Sequence, residues 1–308
     1  MMIEASALAA AAWGLHRLAH LAILRGLRAP RLPHCQAPVG QATAVDSVQQ
    51  VGIPGPRSKQ LFGWMIYPPP AVQRPVPAVL VMHGWGANAS MMASVVPPLH
   101  AAGFAVLLLD ARCHGRSDDE AFTSMPRFAE DIAAGLAWLR GQAGIDANRL
   151  ALLGHSVGAA AALLHASNHD DVRAVISLSA FAHPREVMRR FMAEKRVPYP
   201  LLGWYVLRHV QRVIGASFDD IAPLTTMAQV RCPTLLVHGR EDATVPVGDA
   251  KRLLAASAQA RLLLVDGDHD LRESLAAHAP VLVDFLHAAC AVQVAAEAAV
   301  VAIADGEA

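Results

Sequence analysis

The chain has 308 residues, room for one large domain or two small ones and for a core that excludes water, so it is no mini-protein in need of staples. Its 26 Lys plus Arg balance 26 Asp plus Glu, which leaves no net field to recruit a phosphate backbone, and no nucleic-acid partner is expected. At 54% hydrophobic and 17% charged residues, disorder over most of the chain is excluded.

Residues 1–29 come first. The run from Ala5 to Leu15 is apolar, but Glu4 is the only charge before it, and His16, Arg17 and His20 interrupt it well short of the roughly 20 residues of a spanning helix. On a helical wheel Leu8, Leu15, Leu18 and Ala22 share one side, and His16, Arg17, Arg25 and Arg28 favour the other. An added N-terminal helix is expected, packed on the domain or lying on a membrane surface as a peripheral contact. Residues 30–42, with Pro30, Pro33 and Pro38, read as a linker. Val45, Val48 and Val51, then Leu61 to Tyr67, read as an antiparallel entry hairpin around the turn-forming Gly52 to Ser58.

Beyond it the rhythm changes to short continuous apolar runs: Ala78 to Met82, Phe104 to Leu109, Leu150 to Leu153, Val172 to Leu178, Thr234 to Val237 and Leu262 to Val265. Such runs suit strands buried on both faces. Helix-length patterns separate most of them, at Met91 to Ala101, Arg127 to Leu139, Gly158 to Ala166, Asp249 to Ala256 and Ser274 to Ala289. Alternation of this kind predicts an open α/β sheet, mostly parallel and flanked by helices. About 50 residues without a strand, 181–230, are too many for a plain loop and predict an inserted helical cap. Its aromatic and Met side chains, Phe181, Met188, Phe191, Met192, Tyr199, Trp204 and Tyr205, line an apolar substrate pocket or form the cap's own core. The last stretch, 290–308, is an Ala-rich terminal helix or frayed tail.

The strongest local signal is Gly154-His155-Ser156-Val157-Gly158, directly after one apolar run and before an Ala-rich helix. A Ser on a sharp strand-to-helix turn projects its hydroxyl from the sheet edge, and the flanking glycines avoid backbone collisions. At this point the chain resembles the α/β-hydrolase fold, and the resemblance covers nearly everything from about residue 43 to 289, with the core in segments 43–180 and 231–289. His83-Gly84-Trp85 is similar to the oxyanion loop of that superfamily, which implies that the Trp85 N–H, together with that of Val157, receives the substrate oxyanion. Asp110-Ala111-Arg112-Cys113-His114-Gly115-Arg116-Ser117 resembles its D-x-R-G-H-G-x-S loop, with Cys113 where Gly is usual.

His238-Gly239-Arg240-Glu241-Asp242-Ala243-Thr244-Val245-Pro246 resembles the segment that carries the acid, which implies Asp242. His269, just beyond the last apolar run, maps to the base. The resemblance thus implies a Ser156–His269–Asp242 triad, an acyl-enzyme intermediate, and a serine hydrolase acting on a small-molecule carboxylic ester or related acyl compound. Thioesterase, acyltransferase or perhydrolase chemistry would use the same trio, and a non-catalytic binding protein is the rival from another class. His155 and Cys113 are expected to be packing residues, His83 a structural residue hydrogen-bonded to loop backbone, Glu241 a solvated loop charge, and Asp266, Asp268 and Asp270 surface carboxylates rather than a calcium loop. Cys35, Cys113, Cys232 and Cys290 form no C-x-x-C pair, an argument against a zinc knuckle or a disulfide framework and for a reducing, cytoplasmic compartment. No metal or cofactor is expected.

Overall fold

The computed structural model describes residues 2–34 and 48–304. Cys35, linker residues 35–42 and the expected strand position Val45 lie outside the described residues. Among the described residues, eight strands form one sheet: β1 (Val48–Pro54), β2 (Gln60–Ile66), β3 (Val76–Met82), β4 (Ala105–Leu109), β5 (Ile145–His155), β6 (Ala174–Leu178), β7 (Thr234–Gly239) and β8 (Ala260–Val265), in the order β1-β2-β4-β3-β5-β6-β7-β8. The entry hairpin pairs β1 with β2 antiparallel, with Val51 opposite Gly63, and β2 runs antiparallel to β4. Every other neighbour is parallel.

The apolar runs are continuous because both faces of the sheet are covered. Successive side chains of β3 go to opposite layers. Ala78, Leu80 and Met82 join the core with α3 (Met125–Arg140) and α4 (Val157–Asn168), whereas Val79 and Val81 join the core with α2 (Val96–Ala101) and α10 (Arg272–Ala304). The Ala-rich stretch has a packing reason: Ala159 to Ala162 are all buried, and short side chains let α4 lie close under the sheet. Helix α3 starts on Ser124, whose hydroxyl accepts the Arg127 N–H, with a proline in its first turn.

Two predicted helices differ in their ends. The stretch expected as one helix from Met91 to Ala101 is a 3₁₀ segment, Ala89–Val95, followed by α2. Pro97 and Pro98 cannot donate backbone hydrogen bonds to a preceding turn, so an α-helix can begin only where they occupy its first positions. Helix α10 runs unbroken from Arg272 to Ala304, past the boundary expected at 290. Its stretch Arg272–Ala291 is long and apolar enough to cross a membrane, but Leu275, Leu282, Phe285 and Leu286 are buried in the core on the face of the sheet opposite α4.

The cap segment contains α5 (Pro184–Glu194), a π-helical turn (Tyr199–Gly203), α6 (Trp204–Ile214) and two short helices, α7 (Phe218–Ile221) and α8 (Pro223–Thr226). Gly215 ends α6 at φ 72°, the left-handed conformation that closes a helix with little strain. Phe181, Met192, Leu207, Val210 and Phe218 form the cap's apolar interior, whereas Phe191 and Trp204 face solvent. Helix α1 (Met2–Gly26) packs on α6, and α9 (Val247–Ala255) follows β7.

Candidate active site

Ser156 stands between β5 and α4 with φ 52° and ψ −114°, a conformation that a side chain rarely adopts and that costs on the order of 1–3 kcal/mol. The flanking glycines make the turn feasible. A Cβ on Gly154 would lie 2.4 Å from the Gly158 carbonyl oxygen, and one on Gly158 would lie 2.4 Å from the His83 oxygen and 2.5 Å from that of Met82. These obstacles are backbone atoms, which cannot rotate away. Gly158→Ala is therefore expected to destabilise the fold by about 3 kcal/mol, read as a shift of the urea unfolding midpoint. Gly248→Ala in α9, where nothing lies within 4 Å, should instead be neutral or stabilising by up to about 1 kcal/mol.

The carboxyl ends of β5, β7 and β8 bring the three sequence-predicted side chains together. His269 Nε2 lies 3.0 Å from Ser156 Oγ, and His269 Nδ1 lies 2.7 Å from Asp242 Oδ2. The other Asp242 oxygen accepts the Thr244 N–H at 2.9 Å and the Val245 N–H at 2.7 Å. Burial alone would raise the Asp242 pKa, but hydrogen bonds from His238, His269 and Val245 hold it well below the usual carboxylate range. The ionised carboxylate accepts only, so His269 donates to it from Nδ1 and turns Nε2 to the Ser156 hydroxyl. His238, on β7, donates to the Val245 carbonyl at 2.8 Å and has its pKa raised: desolvation opposes this, and Asp242 at 3.3 Å together with the Val245 carbonyl outweighs it.

Val157 is the first residue of α4, where amide groups have no carbonyl within the helix to bond. Trp85 follows Gly84, whose Cα packs so close to Ser156 that a Cβ there would stand 3.2 Å from the serine Cβ. Both predicted oxyanion donors therefore belong to backbone that borders Ser156. Two buried imidazoles hold the loop carrying Trp85. His83 donates from Nδ1 to the Gly84 carbonyl at 2.7 Å and accepts the Ala111 N–H at 3.1 Å, while His114 Nε2 accepts the Gly86 N–H at 3.1 Å. Acceptance requires neutral rings, and burial lowers both pKa values, that of His114 to about 3.

A second support comes from the segment expected to be a linker. Arg31 donates to the carbonyls of Gly115 and Ser117, and Asn88 donates to those of Leu32 and Pro33. His34 bonds the fully buried Asp110 at 2.8 Å, and Asp110 in turn accepts the Ala89 and Arg116 N–H groups at 2.7 Å. Burial would raise the Asp110 pKa, but His34 and these amides lower it. Residues 30–34 thus form a strap across the Trp85 loop. Sequence reasoning misses His34, Asn88 and the role of His114, because these contacts join positions 28 to 76 residues apart and leave no local spacing to read.

His155 donates from Nε2 to the His269 carbonyl at 2.8 Å, and its Nδ1 side packs on Gly84, so it spans from the Trp85 loop to the backbone of His269. Burial pushes its pKa down and keeps it neutral. Cys113 is buried at φ 66°, the left-handed conformation that Gly adopts freely, and burial raises its thiol pKa. Glu241, Asp266, Asp268 and Asp270 are all exposed. A cavity of about 210 Å³ opens beside His155 and His269, walled by Met91, Met92, Leu178 and Leu275.

The fold agrees with that of known proteins that the chain resembles. Residues 73–214 match the family described as Hydrolase_4, Serine aminopeptidase, S33. An uncharacterized protein of Mycobacterium tuberculosis, Rv2307c, is 32% identical over 206 residues, 67% of this chain; the alignment spans 66% of that relative's length. YfhR of Escherichia coli K12, also uncharacterized, is 24% identical over 231 residues, covering 72% of this chain and 74% of its own. Among solved structures, the Pyrococcus furiosus esterase Pf2001 superposes with a TM-score of 0.65 at 22% identity, over 86% of this chain and 98% of its own. Est1E of Butyrivibrio proteoclasticus with bound ferulic acid superposes with a TM-score of 0.64 at 20% identity, over 78% and 99%. At such identities the two structures speak to the fold alone. With the sheet order, the family match and the fold neighbours in agreement, the chain belongs to the α/β-hydrolase superfamily.

Proposed function

We propose that the chain is a serine hydrolase that cleaves a carboxylic ester or a related acyl bond through an acyl-enzyme on Ser156. The observation that carries the reading is the continuous hydrogen-bonded line from Asp242 Oδ2 through His269 to Ser156 Oγ, at 2.7 and 3.0 Å. A serine hydroxyl is a poor nucleophile at neutral pH until a bonded imidazole takes its proton during attack. In this mechanism Oγ attacks the acyl carbon as its proton passes to His269 Nε2, and Asp242 stabilises the imidazolium. The carbonyl oxygen, now an anion, is held by the Trp85 and Val157 N–H groups, each worth about 3 kcal/mol in such sites. His269 then gives its proton to the leaving alcohol, and the same cycle with water releases the acid and regenerates Ser156.

The apolar wall of Met91, Met92 and Leu275 beside His269 suits a modest uncharged substituent of the ester. The exposed Phe191 and Trp204 of the cap do not serve as pocket walls in this reading. The name of the Pyrococcus protein, an esterase, supplies a precedent for ester chemistry on this fold. Turnover of p-nitrophenyl acetate by the purified chain, stopped by prior treatment with a fluorophosphonate, is the expected result. A folded chain inert toward short p-nitrophenyl esters and thioesters would count against the proposal.

A further inference from the structure

The apolar side of α1 is turned away from the protein. A surface helix normally buries its apolar stripe against its own domain. Here the opposite side makes the contacts: His16 Nδ1 bonds the Tyr205 hydroxyl at 3.1 Å, and His20 Nδ1 bonds His209 Nε2 at 2.9 Å, both partners lying on α6. Near the end of the helix Ile23, with Leu27 just beyond it, packs on the core. Leu15, Leu18 and Leu21 are left 71%, 66% and 55% exposed, and Trp13 is 67% exposed. The cap adds its own exposed Phe191, Leu202 and Trp204.

Charge selects the occupant. Through residue 31 there are four Arg and one Glu, and residues 184–212 carry seven Lys or Arg and two Glu. Arg31, Arg185 and Arg190 are matched by Asp119, Asp219 and Asp249, whereas Arg17, Arg25, Lys195, Arg196 and Arg208 are exposed and leave a local surplus of positive charge. Several of these cations lie over the aromatic rings: Arg17 over Trp13 at 5.7 Å, Lys195 over Phe191 at 5.6 Å and Arg208 over Trp204 at 5.7 Å. A second copy of the chain would bring the same positive surface against itself. An anionic bilayer offers both acyl chains for the leucines and headgroup charge for the arginines, and Trp and Arg together suit the boundary between them.

We propose that α1 and the adjoining cap dock this protein on an anionic lipid surface, with Leu15, Leu18 and Leu21 entering the acyl region and the exposed Arg17, Arg25, Lys195 and Arg208 meeting the headgroups. Docking is independent of the chemistry at Ser156. The test is co-sedimentation of the full chain with phosphatidylcholine vesicles, with and without phosphatidylglycerol, at low and high salt. The expected result is a partition coefficient at least about tenfold higher on the anionic vesicles, falling with salt. Leu18→Glu/Leu21→Glu, and separately Arg17→Glu/Arg25→Glu, should each lower it roughly tenfold while the far-UV circular dichroism of the chain is unchanged. Ser156→Ala should bind like the wild type, so that loss of hydrolysis and loss of docking are separate outcomes. A folded wild type that stays in the supernatant, or a Leu18→Glu/Leu21→Glu variant that binds equally well, overturns the proposal. So does a lipid-free dimer that these leucine substitutions convert to monomer, since a second copy would then be the occupant.

Discussion

Replacing Ser156 with Ala is expected to lower kcat for p-nitrophenyl acetate by about four to six orders of magnitude, with little effect on stability. The size follows from the geometry. Removing Oγ removes the nucleophile to which His269 Nε2 is bonded, at 3.0 Å, and leaves the imidazole facing bound substrate with nothing between them to attack it. What survives is whatever the Trp85 and Val157 amides contribute by polarising the carbonyl toward water. Stability should change little or improve, because Ser156 is held at φ 52° by its surroundings rather than by its hydroxyl. Its own N–H bonds the Leu178 carbonyl at 2.8 Å and remains in the variant. Steady-state rates at saturating ester and the urea midpoint, measured on the same preparation, check both halves.

The second large effect is expected from Asp242→Asn, a loss of about 10⁴ in kcat at neutral pH with the fold retained. The Asn carbonyl can keep accepting the Thr244 and Val245 N–H groups, so the loop after β7 stays in place. Its amide then presents N–H to His269 Nδ1, where the carboxylate accepts a hydrogen bond at 2.7 Å in the wild type. The imidazole must take the other tautomer, with its proton on Nε2, and it can no longer accept one from Ser156. KM should move far less than kcat, because the substrate does not touch Asp242 in this mechanism. A loss confined to KM would indicate that Asp242 shapes the pocket rather than orienting the base.

Of the site, Ser156 is the residue most legible in the amino-acid sequence, because a nucleophile on a strand-to-helix turn has a contiguous signature: an apolar run, two glycines whose missing Cβ atoms leave room for backbone, and an Ala-rich helix. The parallel sheet is legible for a related reason, since strands buried on both faces carry no polar alternation. Asp242 and His269 stand out only by their order after particular strands, and the fold brings them to Ser156 from 86 and 113 positions away.

The strap of Pro30 to His34 is not legible. Its bonds with Asn88, Asp110 and Gly115 join groups far apart in the chain, most of them with a backbone carbonyl as the acceptor, and a proline-rich stretch looks the same whether it is tied down or free. Nor can the orientation of α1 be read. A helical wheel identifies two sides but not which one meets the protein, and here two histidines bonded to α6 decide it against the leucines. The polar first part of β5, Asp146 to Asn148, escapes for want of an apolar run, although it is strand in the fold.

The most direct test of the account is the site of covalent reaction with a fluorophosphonate. Intact mass followed by peptide mapping of the labelled chain should show a single adduct on Ser156, absent in Ser156→Ala and formed at least about 10³-fold more slowly in His269→Ala. An adduct on another residue, or ester hydrolysis that persists undiminished in Ser156→Ala, would contradict it.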